Sequence, residues 1–152
     1  MNFTQISKRI LCMLWMAMLF SSPMANALED NAAEGTTAKL VIQISDNDES
    51  KQHLALSNVY NLQKFYGIDN IEIEVVAYGP GISLLYPEGK EAARVRSLMA
   101  QDVTFTGCQN TLDTLKAKNG KEPQLIDDVD IVRAGVARII ELQDQGYRYL
   151  YP

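Results

Sequence analysis

Three groups of residues in this chain are of types that do chemistry. Cys108, in the stretch "VTFTGCQNT", follows a strand-like run and opens a helix-like one; His53 is the one histidine; Asp127, Asp128 and Asp130 form an acidic group. A thiol at a strand-to-helix junction sits near unpaired backbone N–H groups and the positive end of the helix dipole. Both favour the thiolate, the nucleophilic form of sulfur. Gly107, just before it, permits a tight turn or a close backbone approach, and Thr106 or Asn110 could cap the helix, the latter with Asp113 three residues on. The competing use is packing, because a free cysteine often serves as a small buried apolar residue.

The remaining chemistry narrows quickly. A hydrolytic cysteine needs a histidine base, and a lone histidine on a helix surface is more often solvated than catalytic. One cysteine and one histidine make a poor zinc site, which wants four ligands. The three aspartates read as the acidic edge of a solvated loop rather than a cation site. In the loop Ser45-Asp46-Asn47-Asp48-Glu49-Ser50 three acids would repel a phosphate, and Gly79-Pro80-Gly81 lacks the spacing of a dinucleotide fingerprint. No cofactor and no metal are expected.

These residues hang on a regular alternation. The continuous apolar run Lys39 to Ile44 reads as a strand covered on both faces, and Ala55, Val59, Leu62 and Tyr66 form a helical stripe stopped at Gly67. Ile71 to Tyr78 is a second strand, with Glu72 and Glu74 pointing outward, and the Gly79-Pro80-Gly81 turn follows. A helix over Lys90 to Ala100 leads to a third strand, Val103 to Thr106. Helical character resumes near Gln109 with Leu112 and Leu115 inward. A fourth strand falls within Leu125 to Val132, and Ala134 to Gln145 carries Val136, Ile139, Ile140 and Gln143 at helical spacing. "YRYLYP" closes the chain with Tyr147, Tyr149 and Tyr151 on one side of a short strand, where core is the default role for them and for Leu84, Leu85 and Tyr86. Strand and helix alternate four times and a strand ends the series. The expectation is an α/β fold with a mainly parallel five-stranded sheet and helices on both faces, in which reactive groups gather at the carboxyl ends of the strands.

The first residues predict export. Lys8-Arg9, the apolar run Ile10 to Phe20 and Ala25-Asn26-Ala27 have the order of a secretory signal peptide over 1–27, cleaved after Ala27, and eleven apolar residues are too few for a membrane anchor. A polar lead, 28–37, precedes a single domain over 38–152. Cleavage takes Cys12, Lys8 and Arg9 away, leaving Cys108 as the lone thiol and 12 basic residues against 19 acidic ones. That balance argues against nucleic acid or an anionic membrane surface as partner. With one thiol there is no internal disulfide, so the fold must rest on its core, and the thiol is buried, paired with another molecule, or used.

Four stretches together resemble the DsrE/DsrF-like proteins: "IEVVAYGPGISLL", "VTFTGCQNTL", "LALSNVYNLQKFYG" and "VDIVRAGVARIIELQDQGYRYLYP". The resemblance spans Ala38 to Pro152. It implies a flavodoxin-like α/β domain that forms a homo-oligomer, a trimer or hexamer, in a family tied to sulfur oxidation and sulfur relay. It assigns to Cys108 the role of holding sulfane sulfur as a persulfide between a donor and an acceptor thiol protein, with Gly107, Gln109 and Asn110 as the contacts around it. The relay proteins of the family are cytoplasmic, whereas this chain reads as periplasmic or secreted. The other expectation is therefore a non-enzymatic periplasmic binding or assembly module in which Cys108 is packed.

Overall fold

The computed structural model describes residues 37–152; the expected signal peptide and nearly all of the polar lead lie outside them. Among the described residues no helix is long and apolar enough to cross a membrane. Strand β1, Ala38–Ile44, is followed by helix α1, Glu49–Tyr66. Asp48 starts that helix, its carboxylate accepting the N–H groups of Ser50 at 2.8 Å and Lys51 at 3.1 Å. Gly67 stops it at φ 87°, a conformation that favours glycine, and donates its own N–H back to the Gln63 carbonyl at 2.9 Å. Acids of the first loop thus serve as caps and turn formers.

Strand β2, Ile71–Ala77, runs into a 3₁₀ segment over Gly79–Leu85, and then come α2, Ala92–Met99, and β3, Thr104–Cys108. Helix α3, Gln109–Asn119, begins without a linker. After a loop come β4, Asp130–Val132, helix α4, Gly135–Asp144, and β5, Arg148–Leu150. All pairings are parallel and the strand order is β4-β3-β2-β1-β5.

That order dictates where the helices go. A right-handed crossover places its helix on a face set by the direction of the step across the sheet. The steps β1 to β2, β2 to β3 and β3 to β4 all go one way, so α1, α2 and α3 share a face; the return from β4 to β5 goes the other way and puts α4 on the opposite face. The core follows suit. Ile42, Ile73, Val75 and Phe105 pack with Ala55, Leu56, Val59, Val95, Leu98 and Leu112, and Leu84 and Leu85 join them. Across the sheet a smaller cluster holds Val41, Val76, Ile139 and Leu142.

Strands β3 and β4 therefore send their following helices to opposite faces. Such neighbours open a crevice at their carboxyl ends, the topological switch point of an α/β sheet. Cys108 is the last residue of β3, in register with Val132 of β4.

Candidate functional site

The site is the switch point between β3 and β4. Cys108 is both the end of its strand and the N-cap of α3. The N-terminus of α4 comes in beside it: Gly135, first residue of that helix, lies so near that a side chain there would begin 3.4 Å from the Cys108 Cβ and 3.2 Å from the Tyr78 ring. Two helices that begin 26 residues apart in sequence thus aim their amino ends at one sulfur. Each contributes partial positive charge, and the effect is local to the first turn.

Cys108 is 5% exposed. Burial by itself pushes the thiol pKa up, because it disfavours the anion. The N–H of Gly135, the hydroxyl and N–H of Thr111 and the N–H of Asn110 outweigh that cost and hold the thiol below its ordinary value. As a thiol the sulfur donates weakly to the Arg133 carbonyl at 3.9 Å. Asn110 divides its amide between the sulfur and that same carbonyl, to which it donates at 3.2 Å. Tyr78, whose ring lies against Gly135, borders the site and is held protonated above its usual range, chiefly by burial. A buried thiol whose pKa is lowered by surrounding donors is of the kind that suits attack on a small electrophilic sulfur.

Behind the thiol, the same face of the sheet carries a buried ion pair. Glu74, 4% exposed, accepts Arg138 Nε at 2.9 Å and Nη2 at 2.8 Å, and the Thr106 hydroxyl at 2.7 Å. The fork matches the carboxylate at both oxygens. It ties α4 to β2 one turn below Gly135, and so fixes where the amino end of α4 meets Cys108. The outward position expected of Glu74 is wrong: Glu72 is exposed, but α4 covers Glu74 two residues on. Nor does Thr106 cap α3, its hydroxyl being committed to Glu74.

Outside comparison fits this architecture. The sequence model of the DsrE/DsrF-like family matches residues 38–152. The chain belongs to that family. A solved structure from Methanobacterium thermoautotrophicum, the protein of unknown function MTH1491, is 34% identical, with a TM-score of 0.68 over 76% of this chain and 99% of that one. No curated protein matches the chain.

In this DsrE/DsrF-like domain the sequence-chosen residues fall as follows. Asn110 brings its amide to the sulfur. Gly107 faces away from it, toward Leu125, Ile131 and Ile82, whose side chains leave only 3.2 to 3.4 Å for a Cβ. Gln109 turns outward and donates to Asp113 at 2.9 Å, and Arg133 bridges to the same carboxylate at 2.9 Å. His53 is elsewhere: its Nδ1 lies 2.9 Å from Glu91, beside a groove of about 680 Å³ between the start of α1 and the 86–91 turn. Asp127, Asp128 and Asp130 are exposed. Gly135, Thr111 and Tyr78 were not singled out. The glycine before a helical pattern at Ala134-Gly135-Val136 is the one local signal that could have raised Gly135; pairing it with Cys108 requires the strand order.

Proposed function

We propose that this DsrE/DsrF-like protein carries sulfane sulfur on Cys108. The carrying observation is the convergence of two helix N-termini on a single buried thiol at the switch point. The family is associated with sulfur relay, and the chemistry follows from the thiolate. Cys108 attacks the outer sulfur of a donor R–S–SH; the new S–S bond forms, the old one breaks, and the donor leaves as R–S⁻ while Cys108 becomes Cys–S–SH. An acceptor thiolate then attacks that outer sulfur, and the electron pair returns to Cys108. No net oxidant is needed. Asn110 is the sequence-chosen neighbour best placed to serve the anion.

The first residues support export, with cleavage after Ala27 and work in the periplasm or outside the cell. Val136 and Ile140, 52% and 56% exposed on one stripe of α4, support a homo-oligomer in which a neighbouring subunit covers that helix. The test of the relay is mass spectrometry after exposure to thiosulfate or polysulfide. One added sulfur on wild type, absent from Cys108→Ser, is expected; no adduct on wild type, or an equal adduct on the variant, sinks the reading.

The burial of Cys108 favours a second reading, a non-enzymatic binding or assembly module with a packed cysteine. Thiol labelling of the native protein separates the two. Labelling only after denaturation supports the packed thiol, and native labelling by a small reagent supports the carrier.

A further inference from the structure

The start of α4 meets Cys108 directly. The thiol donates to the Arg133 carbonyl at 3.9 Å, that carbonyl accepts the Asn110 N–H at 3.2 Å, and Gly135 packs against the cysteine. Helix α3 is pinned separately: the Thr111 hydroxyl accepts the N–H of Gly79 at 2.8 Å, which ties the first turn of α3 to the turn after β2. The amino end of α4 has little apolar support. Ile139 and Leu142 join Val41 and Val76 in the smaller cluster, but both lie past the first turn of the helix. Of its first four residues, Gly135 has no side chain, Val136 and Ala137 are exposed, and Arg138 reaches the sheet through its two bonds to Glu74.

Those bonds close a ring. Cys108 and Thr106 are alternate residues on one face of β3, and the Thr106 hydroxyl donates to Glu74 at 2.7 Å. Glu74 receives the Arg138 fork, and the Arg138 N–H donates to the Ala134 carbonyl at 3.1 Å. Ala134 sits between Arg133, whose carbonyl takes the thiol, and Gly135, which packs on it. The ring starts and ends at the cysteine. We propose that Glu74 and Arg138 are positioning residues for the chemistry of Cys108: their fork seats the first turn of α4 on the strand that carries the thiol, and so keeps the amino end of that helix aimed at the sulfur. This role rests on the reading of Cys108 as a sulfur carrier. Apolar contacts let one element slide over another, whereas a fork bonded at both carboxylate oxygens fixes distance and direction together. Without it Ile139 and Leu142 still hold the body of α4, while its amino end is free to draw away from Cys108. The sulfur then loses one of its two helix termini in a protein that stays folded.

The deciding variant carries Glu74→Met and Arg138→Met together, which removes both charges and leaves neither stranded in the interior. Circular dichroism checks folding. The rate of Cys108 alkylation by iodoacetamide is then followed against pH on the native full chain, with peptide mass spectrometry reading Cys108 apart from Cys12. The double variant is expected to fold and to raise the alkylation midpoint by about one unit, cutting the thiolate fraction about tenfold at any pH well below it. Loading with polysulfide at neutral pH should slow by a similar factor. Arg138→Lys keeps the charge but replaces the planar fork by a single point, so it should fall between wild type and the double variant, and it decides where the double variant fails to fold. A midpoint and a loading rate equal to wild type, in the folded double variant or in the lysine variant that stands in for it, overturn the proposal. The two ideas fail differently: a wild type that takes no sulfur overturns the carrier reading and this role with it, whereas loading that is equally fast in wild type and variants overturns the role and leaves the carrier standing.

Discussion

On one face the sheet offers Ile42, Ile73, Val75 and Phe105 to three helices and a large apolar cluster; on the other the same strands offer Val41 and Val76 to a smaller apolar cluster with α4, and set Glu74, Thr106 and Cys108 beside it. Alternation along each strand makes this possible, since neighbouring residues point to opposite sides. The comparison teaches a division of labour. The face covered by α1, α2 and α3 gains stability mainly from apolar area, while the face under α4 adds directed polar bonds, which cost desolvation, to a smaller apolar cluster.

The largest effect should come from the apolar face. Phe105 is 1% exposed, and Phe105→Ala is expected to lower stability by about 3 to 5 kcal/mol, read by urea unfolding. A loss below about 1 kcal/mol would show that this face does not carry the fold. Next comes the ion pair. Arg138→Ala strands the buried Glu74 carboxylate and should cost about 2 to 3 kcal/mol, somewhat less than a fully buried pair because the arginine is 29% exposed. Replacing both partners by methionine should restore most of that, whereas a double variant no better than the single would mean the pair stabilises beyond its own charge balance. The smallest effect is at the edge, where Tyr147 donates to Glu72 at 2.8 Å. Burial, followed by the Glu72 hydrogen bond, pushes Tyr147 up to about 12 from 10.0. Because the folded value is the higher one, its contribution is complete below pH 10 and is lost as the pH rises toward about 12. Tyr147→Phe should cost about 1 kcal/mol at neutral pH and flatten the alkaline part of the stability curve; a variant that still follows wild type between pH 10 and 12 would rule the phenol out as its cause.

The two faces also differ in how far the sequence discloses them. Apolar periodicity marks β1, β2, α1 and the parallel sheet, because burial on the apolar face imprints its period directly on the residues. Capping is legible too: Gly67 ends α1 where the pattern stops. Polar positions on the α4 face carry no such imprint. Glu72 and Glu74 have the same spacing and opposite fates, and what separates them is Arg138, 64 residues later. On α4 the spacing of Val136, Ile139 and Ile140 marks a helix, yet only Ile139 of the three is buried, and Leu142 completes the inner stripe. The tyrosine series shares one side as its alternation requires, but Tyr149 and Tyr151 stay 44% and 46% exposed while their hydroxyls bond to Gln43 and Asp46. In the site, Cys108 was visible from its junction alone. Its surroundings were not, because Gly79, Thr111 and Gly135 meet only once the strand order brings three distant segments together.

That meeting has a consequence in time. The groups that lower the Cys108 pKa come from the first turn of α3 and the start of α4, and the last of these leaves the ribosome 27 residues after the cysteine. Until α4 has docked, the sulfur is an ordinary thiol, mostly protonated at neutral pH and slow to react. A chain still being made thus carries its thiol without these donors, and the lowering of its pKa arrives with the final stretch of the fold.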